Sequence, residues 1–259
     1  MRAQQLGVLL VNCLCDEADV ERCEVIRRRF DAWLGCVVDV VWFGSKSLLF
    51  PLPPSDVWLV VVTGSATKAY DETTPWVGGL VSWLSSILEQ CPLVRVLGIC
   101  FGSQVLAMAC GGTCEKLARP EVGGVCCNWT IAGAEVPFRL VAAHGETVGF
   151  AGAALRNARV LAENVEGGVQ GFVACGGRAL GGRLFHLLMP LCSHLLATVT
   201  CHPEYGRPEG EERAKLRHER GEISDAQLVQ ALDSLALPLG GAEFAKTLVL
   251  PWANGLLTL

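Results

Sequence analysis

Short, predominantly apolar runs set the rhythm of the chain. Leu6 to Leu14, Val37 to Phe43, Val57 to Thr63 and Val94 to Ile99 are rich in Val, Leu and Ile, without sustained alternation with polar residues. Such runs fit β-strands covered on both faces, as in a parallel sheet. Ala18 to Leu34 behaves differently: Val20, Cys23, Val25, Ile26, Phe30 and Leu34 form one stripe at helical spacing among charged residues. Trp76 to Glu89 repeats the pattern with Val77, Leu80, Val81, Leu84, Ile87 and Leu88, and Pro75 suits its opening turn. Gly102 to Cys110 reads as a third short helix, ended by Gly111-Gly112. This order predicts an α/β fold, an open and mostly parallel sheet with helices on both faces.

From Glu115 to about Gly182 the chain is rich in Gly, Val and Ala and reads as short strands and turns, a small antiparallel sector at the sheet edge. Leu195 to Cys201 is a further apolar strand, followed by a charged segment from Glu209 to Glu222 and a helix near Ala226 to Leu235. No repeat or linker-like composition shift interrupts the 259 residues, so one domain spanning residues 1–259 is expected.

Hydrophobic residues make up 51% of the chain and charged residues 18%, enough for a large core. The formal net charge of −5 supplies no basic footprint for nucleic acid. A membrane span needs about 20 apolar residues in a row. The best stretch, Leu184 to Val199, is broken by His186, Pro190, Ser193 and His194. The N-terminal apolar run leads at once into Asp16, Glu17, Asp19 and Glu21 with no small-residue cleavage site, so it reads as a first strand rather than a signal peptide. A soluble, cytoplasmic protein is expected. The cysteines number thirteen, an odd count, with a CxC at Cys13 and Cys15 but no CxxC or zinc-finger spacing. Twelve read as packing or incidental residues.

The exception is Cys100. A strand runs into Gly98-Ile99-Cys100-Phe101-Gly102 and a helix leaves it. A nucleophile between a strand end and a helix start sits in strained backbone, and glycines two residues to either side let the chain pass without Cβ clashes. The positive end of a helix dipole favours a thiolate placed there, and the N–H of Phe101 would face a developing oxyanion. A thiolate calls for a base, and the base for an orienting group. His202 lies in Thr200-Cys201-His202-Pro203-Glu204-Tyr205, just past an apolar strand, with Glu204 two residues on. His144, in Ala143-His144-Gly145-Glu146, is a second candidate beside a turn glycine. His186 and His194 read as core histidines, and His218 as solvated on a charged helix. A serine-type α/β-hydrolase is excluded by chain order, because there the acid precedes the histidine.

Gly98-Ile99-Cys100-Phe101-Gly102-Ser103-Gln104 together with His202-Pro203-Glu204 resembles the class I glutamine amidotransferase family, with its Cys, His and Glu triad. Thr63-Gly64-Ser65, followed by Tyr70-Asp71 and Pro75-Trp76, resembles that family's oxyanion loop, and Ala143-His144-Gly145-Glu146 its His-Gly-Asp stretch. Within the family these segments resemble the branch of the amidotransferase domain of GMP synthase and the plant γ-glutamyl peptidases. The resemblance implies a flavodoxin-like three-layer fold. It implies that Cys100 attacks the γ-amide of glutamine or a γ-glutamyl compound, with His202 moving the proton and Glu204 holding its tautomer. Gly64, Ser65 and Phe101 would stabilise the oxyanion, while Gln104, His144 and Gly145 would hold the substrate. It implies no cofactor or metal. The partner is the glutamine or γ-glutamyl small molecule, and the enzyme either serves a separate ammonia-accepting synthetase or acts alone as a hydrolase. A non-catalytic binding or regulatory module is the alternative. Three positions depart from the family: Ser103 stands where His is common, Glu146 where Asp is usual, and Cys201 where Gln or Gly precedes the histidine. Arg119, Arg139 and Arg207 could supply a local positive site, although surface arginines are ordinary.

Overall fold

The computed structural model describes residues 7–14, 19–35, 38–42, 53, 57–71, 74–91, 93–149, 158–164, 166, 168–174 and 196–253. The chain runs β1 (Gly7–Asn12), α1 (Asp19–Leu34), β2 (Val38–Trp42), β3 (Val57–Val62), α2 (Pro75–Gln90), β4 (Arg95–Ile99) and α3 (Phe101–Ala109). Next come β5 (Thr113–Ile131), β6 (Ala134–Gly149), β7 (Ala158–Asn164), β8 (Gly168–Ala174) and β9 (Leu196–Val199). The helices α4 (Arg207–Glu219), α5 (Asp225–Leu235), α6 (Gly241–Phe244), a π-helical stretch (Ala245–Val249) and α7 (Leu250–Ala253) follow.

Seven strands form one sheet in the order β2-β1-β3-β4-β9-β8-β7. The first five are parallel, and β8 and β7 add an antiparallel edge. Successive side chains of a strand point to opposite faces, and both faces are covered. Val8, Leu10, Leu59, Val61, Leu97 and Ile99 lie on one side with Ile26 and Phe30 of α1. Leu9, Val11, Val60, Val62 and Val96 lie on the other with Leu80, Leu84 and Ile87 of α2 and Leu106 of α3. Two-sided burial explains why these strands carry no polar alternation. On α1 the apolar stripe is narrower than its spacing predicts: Cys23, Ile26 and Phe30 are buried, while Val20 is 54% exposed.

The middle of the chain differs from the expected short strands. The strands β5 and β6, of 19 and 16 residues, pair as a separate long antiparallel ribbon. Its two-residue turn, Ala132-Gly133, has φ of 50° and 82°, the pair of positive angles a tight hairpin of matching twist requires. Gly123 and Gly124 of β5 let α5 press against the ribbon, since a Cβ on Gly124 would stand 2.6 Å from the Ser234 carbonyl oxygen. The ribbon reaches the sheet's carboxyl end through one bridge, the N–H of His202 donating to the Val141 carbonyl at 2.7 Å. The charged segment after His202 is helical, as α4. Among the described residues no helix is long and apolar enough to cross a membrane. His186, His194 and Cys15 lie outside the described residues, as does most of the stretch from Leu184 to Val199.

Candidate active site

Cys100 occupies the turn between β4 and α3 with φ 51° and ψ −111°, a positive φ that a residue with a side chain rarely adopts. The turn is locked from both ends. The Cys100 N–H donates to the Val199 carbonyl at 2.8 Å, and the Cys100 carbonyl accepts from the Ser103 N–H at 2.9 Å. The flanking glycines are required by contact: a Cβ on Gly98 would sit 2.5 Å from the Gly102 carbonyl oxygen, and one on Gly102 would strike the Val62 carbonyl. Phe101 opens α3, and its N–H belongs to the first helical turn, where donors have no intrahelical acceptor. Its ring lies 5.5 Å from that of Trp76.

His202 arrives from the other side of the sheet's carboxyl end, three residues past β9. Nδ1 lies 2.8 Å from Glu204 Oε1, and both side chains are buried. The imidazole stacks flat on Tyr205, centroids 4.2 Å apart and planes 2° from parallel. Burial alone disfavours the imidazolium, but electrostatic attraction to the neighbouring Cys100 and Glu204 and the ring's hydrogen bonds to them outweigh it and raise the pKa to about 10. The His202–Glu204 loop is also held from behind. Arg29 of α1 donates to the Glu204 carbonyl and pairs with Glu209 at 2.6 Å. Gly64 closes the third side, where a Cβ would meet His202 Cε1 at 2.8 Å and Cys100 Cβ at 3.5 Å. Sequence motifs alone point to Cys100, His202 and Glu204; Arg29, 175 residues from Glu204, carries no motif and is visible only in the fold.

These groups border a cavity of about 400 Å³, whose walls include Gly64, Ser65, Cys100, Phe101, Gln104 and His202. A cavity of that size accommodates more than a single amino acid. His144 and Gly145 line it too, though from the middle of β6 rather than a turn. His144 Nε2 lies 2.9 Å from Glu121 Oε2, a close polar contact at an angle unsuited to a hydrogen bond, and Nδ1 has no partner among the described residues. Glu121 also accepts from Asn164 at 2.5 Å and Gln170 at 2.9 Å. Burial pushes its carboxyl pKa up, but His144 and these two amides prevail and hold it below the ordinary value. Among the described residues, no three His, Cys, Asp or Glu side chains form a metal-binding group. Arg119, Arg139 and Arg207 are not at the cavity: Arg139 donates to the Gly124 carbonyl and Arg207 pairs with Glu211. His218 lies 2.6 Å from Asp225 and does not line the cavity.

No family model matches the chain. A Schizosaccharomyces pombe protein provisionally described as glutamine amidotransferase-like is 35% identical over 52 residues, which are 20% of this chain and 21% of that protein. Solved structures cover far more. A glutamine amidotransferase from Thermotoga maritima matches with a TM-score of 0.65 at 18% identity, over 97% of this chain and 98% of that one. A glutamine amidotransferase from Methylobacillus flagellatus matches with a TM-score of 0.69 at 17% identity, over 96% and 95%. The fold is that of the class I glutamine amidotransferases.

Within that amidotransferase fold the three departures have local explanations. Ser103 is wholly buried, and its hydroxyl donates to the Cys100 carbonyl at 2.7 Å, bracing the turn from inside the helix. Glu146 turns back to accept the Gly145 N–H at 3.1 Å. Cys201 points away from the cavity, its Sγ 3.2 Å from Gln170 Oε1, and burial pushes its thiol well above the ordinary pKa. It is a packing thiol that ties the histidine loop to β8.

Proposed function

We propose that this protein cleaves the γ-amide of glutamine or of a γ-glutamyl compound through a thioester on Cys100. The observation that carries this reading is the convergence of Cys100, in its positive-φ turn, with the His202–Glu204 pair at one cavity wall. In the proposed reaction His202 takes the Cys100 thiol proton, Sγ attacks the γ-carbonyl carbon, and the carbonyl oxygen takes the negative charge. The N–H groups of Phe101 and of Gly64 or Ser65 stabilise it. The C–N bond then breaks, and His202 delivers its proton to the departing ammonia or amine. Water adds to the thioester, its proton passes to His202, the C–S bond breaks, His202 returns the proton to the departing sulfur, and glutamate leaves with the thiol restored. Glu204 keeps Nδ1 protonated so that Nε2 faces the sulfur. Gln104, His144 and Gly145 hold the amino-acid end.

With glutamine as substrate the leaving group is ammonia, which a separate synthetase would consume; with a γ-glutamyl amine the chain acts alone. The test is glutamate release from glutamine and from γ-glutamyl peptides, together with labelling by a diazo-ketone glutamine analogue followed by mass spectrometry. The reading requires stoichiometric modification at Cys100 and loss of turnover in Cys100→Ala. A Cys100→Ala variant with full activity would end it.

A further inference from the structure

We infer that Arg29, on α1, is a positioning residue for the reaction: with Glu209 it clamps the backbone of the loop that carries His202 and Glu204, and so sets the rate of the chemical step. The inference rests on the thioester reaction proposed above and adds to it a residue that touches neither the substrate nor the sulfur.

The need for a clamp follows from how Glu204 is held. Its side chain is buried and Oε1 meets His202 Nδ1 at 2.8 Å, but Oε2 has no hydrogen-bond partner among the described residues. A carboxylate in that position aligns the imidazole only if its own backbone is fixed from elsewhere. The loop supplies little of this itself. Pro203 has no N–H to donate, and the Tyr205 N–H turns inward to the His202 carbonyl at 3.2 Å, a bond internal to the loop.

Arg29 and Glu209 supply the missing hold. Arg29 Nη1 donates to the Glu204 carbonyl, and Nη2 pairs with Glu209 Oε1 at 2.6 Å. The other oxygen of that carboxylate, Oε2, accepts the Gly206 N–H at 2.9 Å. Two charged side chains therefore grip the turn at both ends, and Glu209 in turn belongs to the first turn of α4. Hydrogen bonds with ionised partners are the stronger kind. A planar guanidinium serves a carbonyl and a carboxylate in one fork, which an ammonium does not reproduce.

A second ion pair between the same helices gives the comparison. Arg22, about two turns before Arg29 on α1, pairs with Glu212 of α4 at 2.8 Å. Both pairs fasten α1 to α4. The Arg29 pair in addition holds the Glu204 carbonyl and the Gly206 N–H. If fastening the helices were its whole role, the two pairs would be interchangeable.

The experiment measures kcat, KM and thermal unfolding of the whole chain, with glutamine or the γ-glutamyl peptide it turns over, alongside the rate of Cys100 labelling by the diazo-ketone analogue. Arg29→Gln is expected to lower kcat about tenfold or more with KM within about twofold. Arg29→Lys recovers part of the loss, and Glu212→Gln keeps kcat within about twofold of the parent. In a Glu204→Gln background the further change Arg29→Gln costs less than about twofold, because a residue that acts through another is not additive with it. Where turnover there is too slow to follow, the labelling rate completes the same cycle. If Arg29→Gln does not fold, the milder Glu209→Gln takes its place. Parent-like kcat in the Arg29 variants, an equal loss in Glu212→Gln, or the full tenfold cost repeated in the Glu204→Gln background overturns the positioning role while the thioester reading stands. If the parent cleaves no substrate and Cys100 resists the analogue, both readings fall together.

Discussion

Replacing Gly64 by alanine adds one methyl group at the point where Cys100 and His202 come closest to the loop after β3. The new Cβ would lie 2.8 Å from His202 Cε1, 3.5 Å from Cys100 Cβ and 3.6 Å from His202 Nε2. Ordinary carbon contacts begin near 3.5 Å, so the imidazole has to retreat by roughly 0.7 Å. It cannot do so cheaply. Tyr205 stacks flat on the ring and Glu204 holds Nδ1 at 2.8 Å. The Gly64 backbone itself is not in the left-handed region, so the methyl meets no conformational penalty and the whole cost falls on the site. A displacement of that order in reacting groups costs about 100-fold in rate, while local overpacking costs about 1–3 kcal/mol of stability. Gly64→Ala is therefore expected to fold, to melt a few degrees lower, and to release glutamate about 100-fold more slowly. The control is Gly78→Ala on α2, where a Cβ meets nothing within 4 Å, and where alanine is expected to be neutral or to stabilise by about 0.5–1 kcal/mol. Activity and thermal unfolding are measured on both variants. Gly64→Ala with activity within about twofold of the parent would refute the claim that Gly64 is glycine because of His202.

Three more predictions follow from the same geometry. Glu204→Gln keeps the shape of the loop but removes the carboxylate that holds the His202 tautomer, so kcat is expected to fall at least roughly 100-fold with little change in unfolding temperature; a merely structural Glu204 would show the reverse split. Gly171→Ala would drive a methyl into the Trp129 ring and to 2.8 Å from the Thr198 carbonyl oxygen, so a loss of about 1–3 kcal/mol is expected by denaturant titration, and an unchanged midpoint would refute it. His202 carries a raised pKa, from 6.5 to about 10, so its protonation stabilises the fold fully below pH 6.5 and loses that effect as pH climbs toward 10. The stability gap between the parent and His202→Asn should accordingly be widest near the lower end of that range and narrow toward the upper end; a gap that stays constant would contradict the assignment.

The linear order of residues was enough to reveal the parallel part of the sheet, because two-sided burial writes itself as short runs rich in Val, Leu and Ile without sustained polar alternation. It was enough for the nucleophile turn as well, since the two glycines stand at fixed positions two residues either side of Cys100, and Gly98 is demanded by Gly102 itself; the clash that demands Gly102, with the Val62 carbonyl, appears only in the fold. The long β5–β6 ribbon was not legible. Its strands are half-exposed and interrupted by glycines whose purpose, admitting α5, exists only once the helix is docked. Nor was Arg29. It acts on a carbonyl far away in sequence, and a lone arginine on an amphipathic helix looks the same whether it faces water or a neighbouring loop. Local backbone demands leave marks in a sequence because they are set by near neighbours. A hold that α1 and α4 place on the loop after β9 has no such mark, and only the fold that sets those elements side by side brings it together.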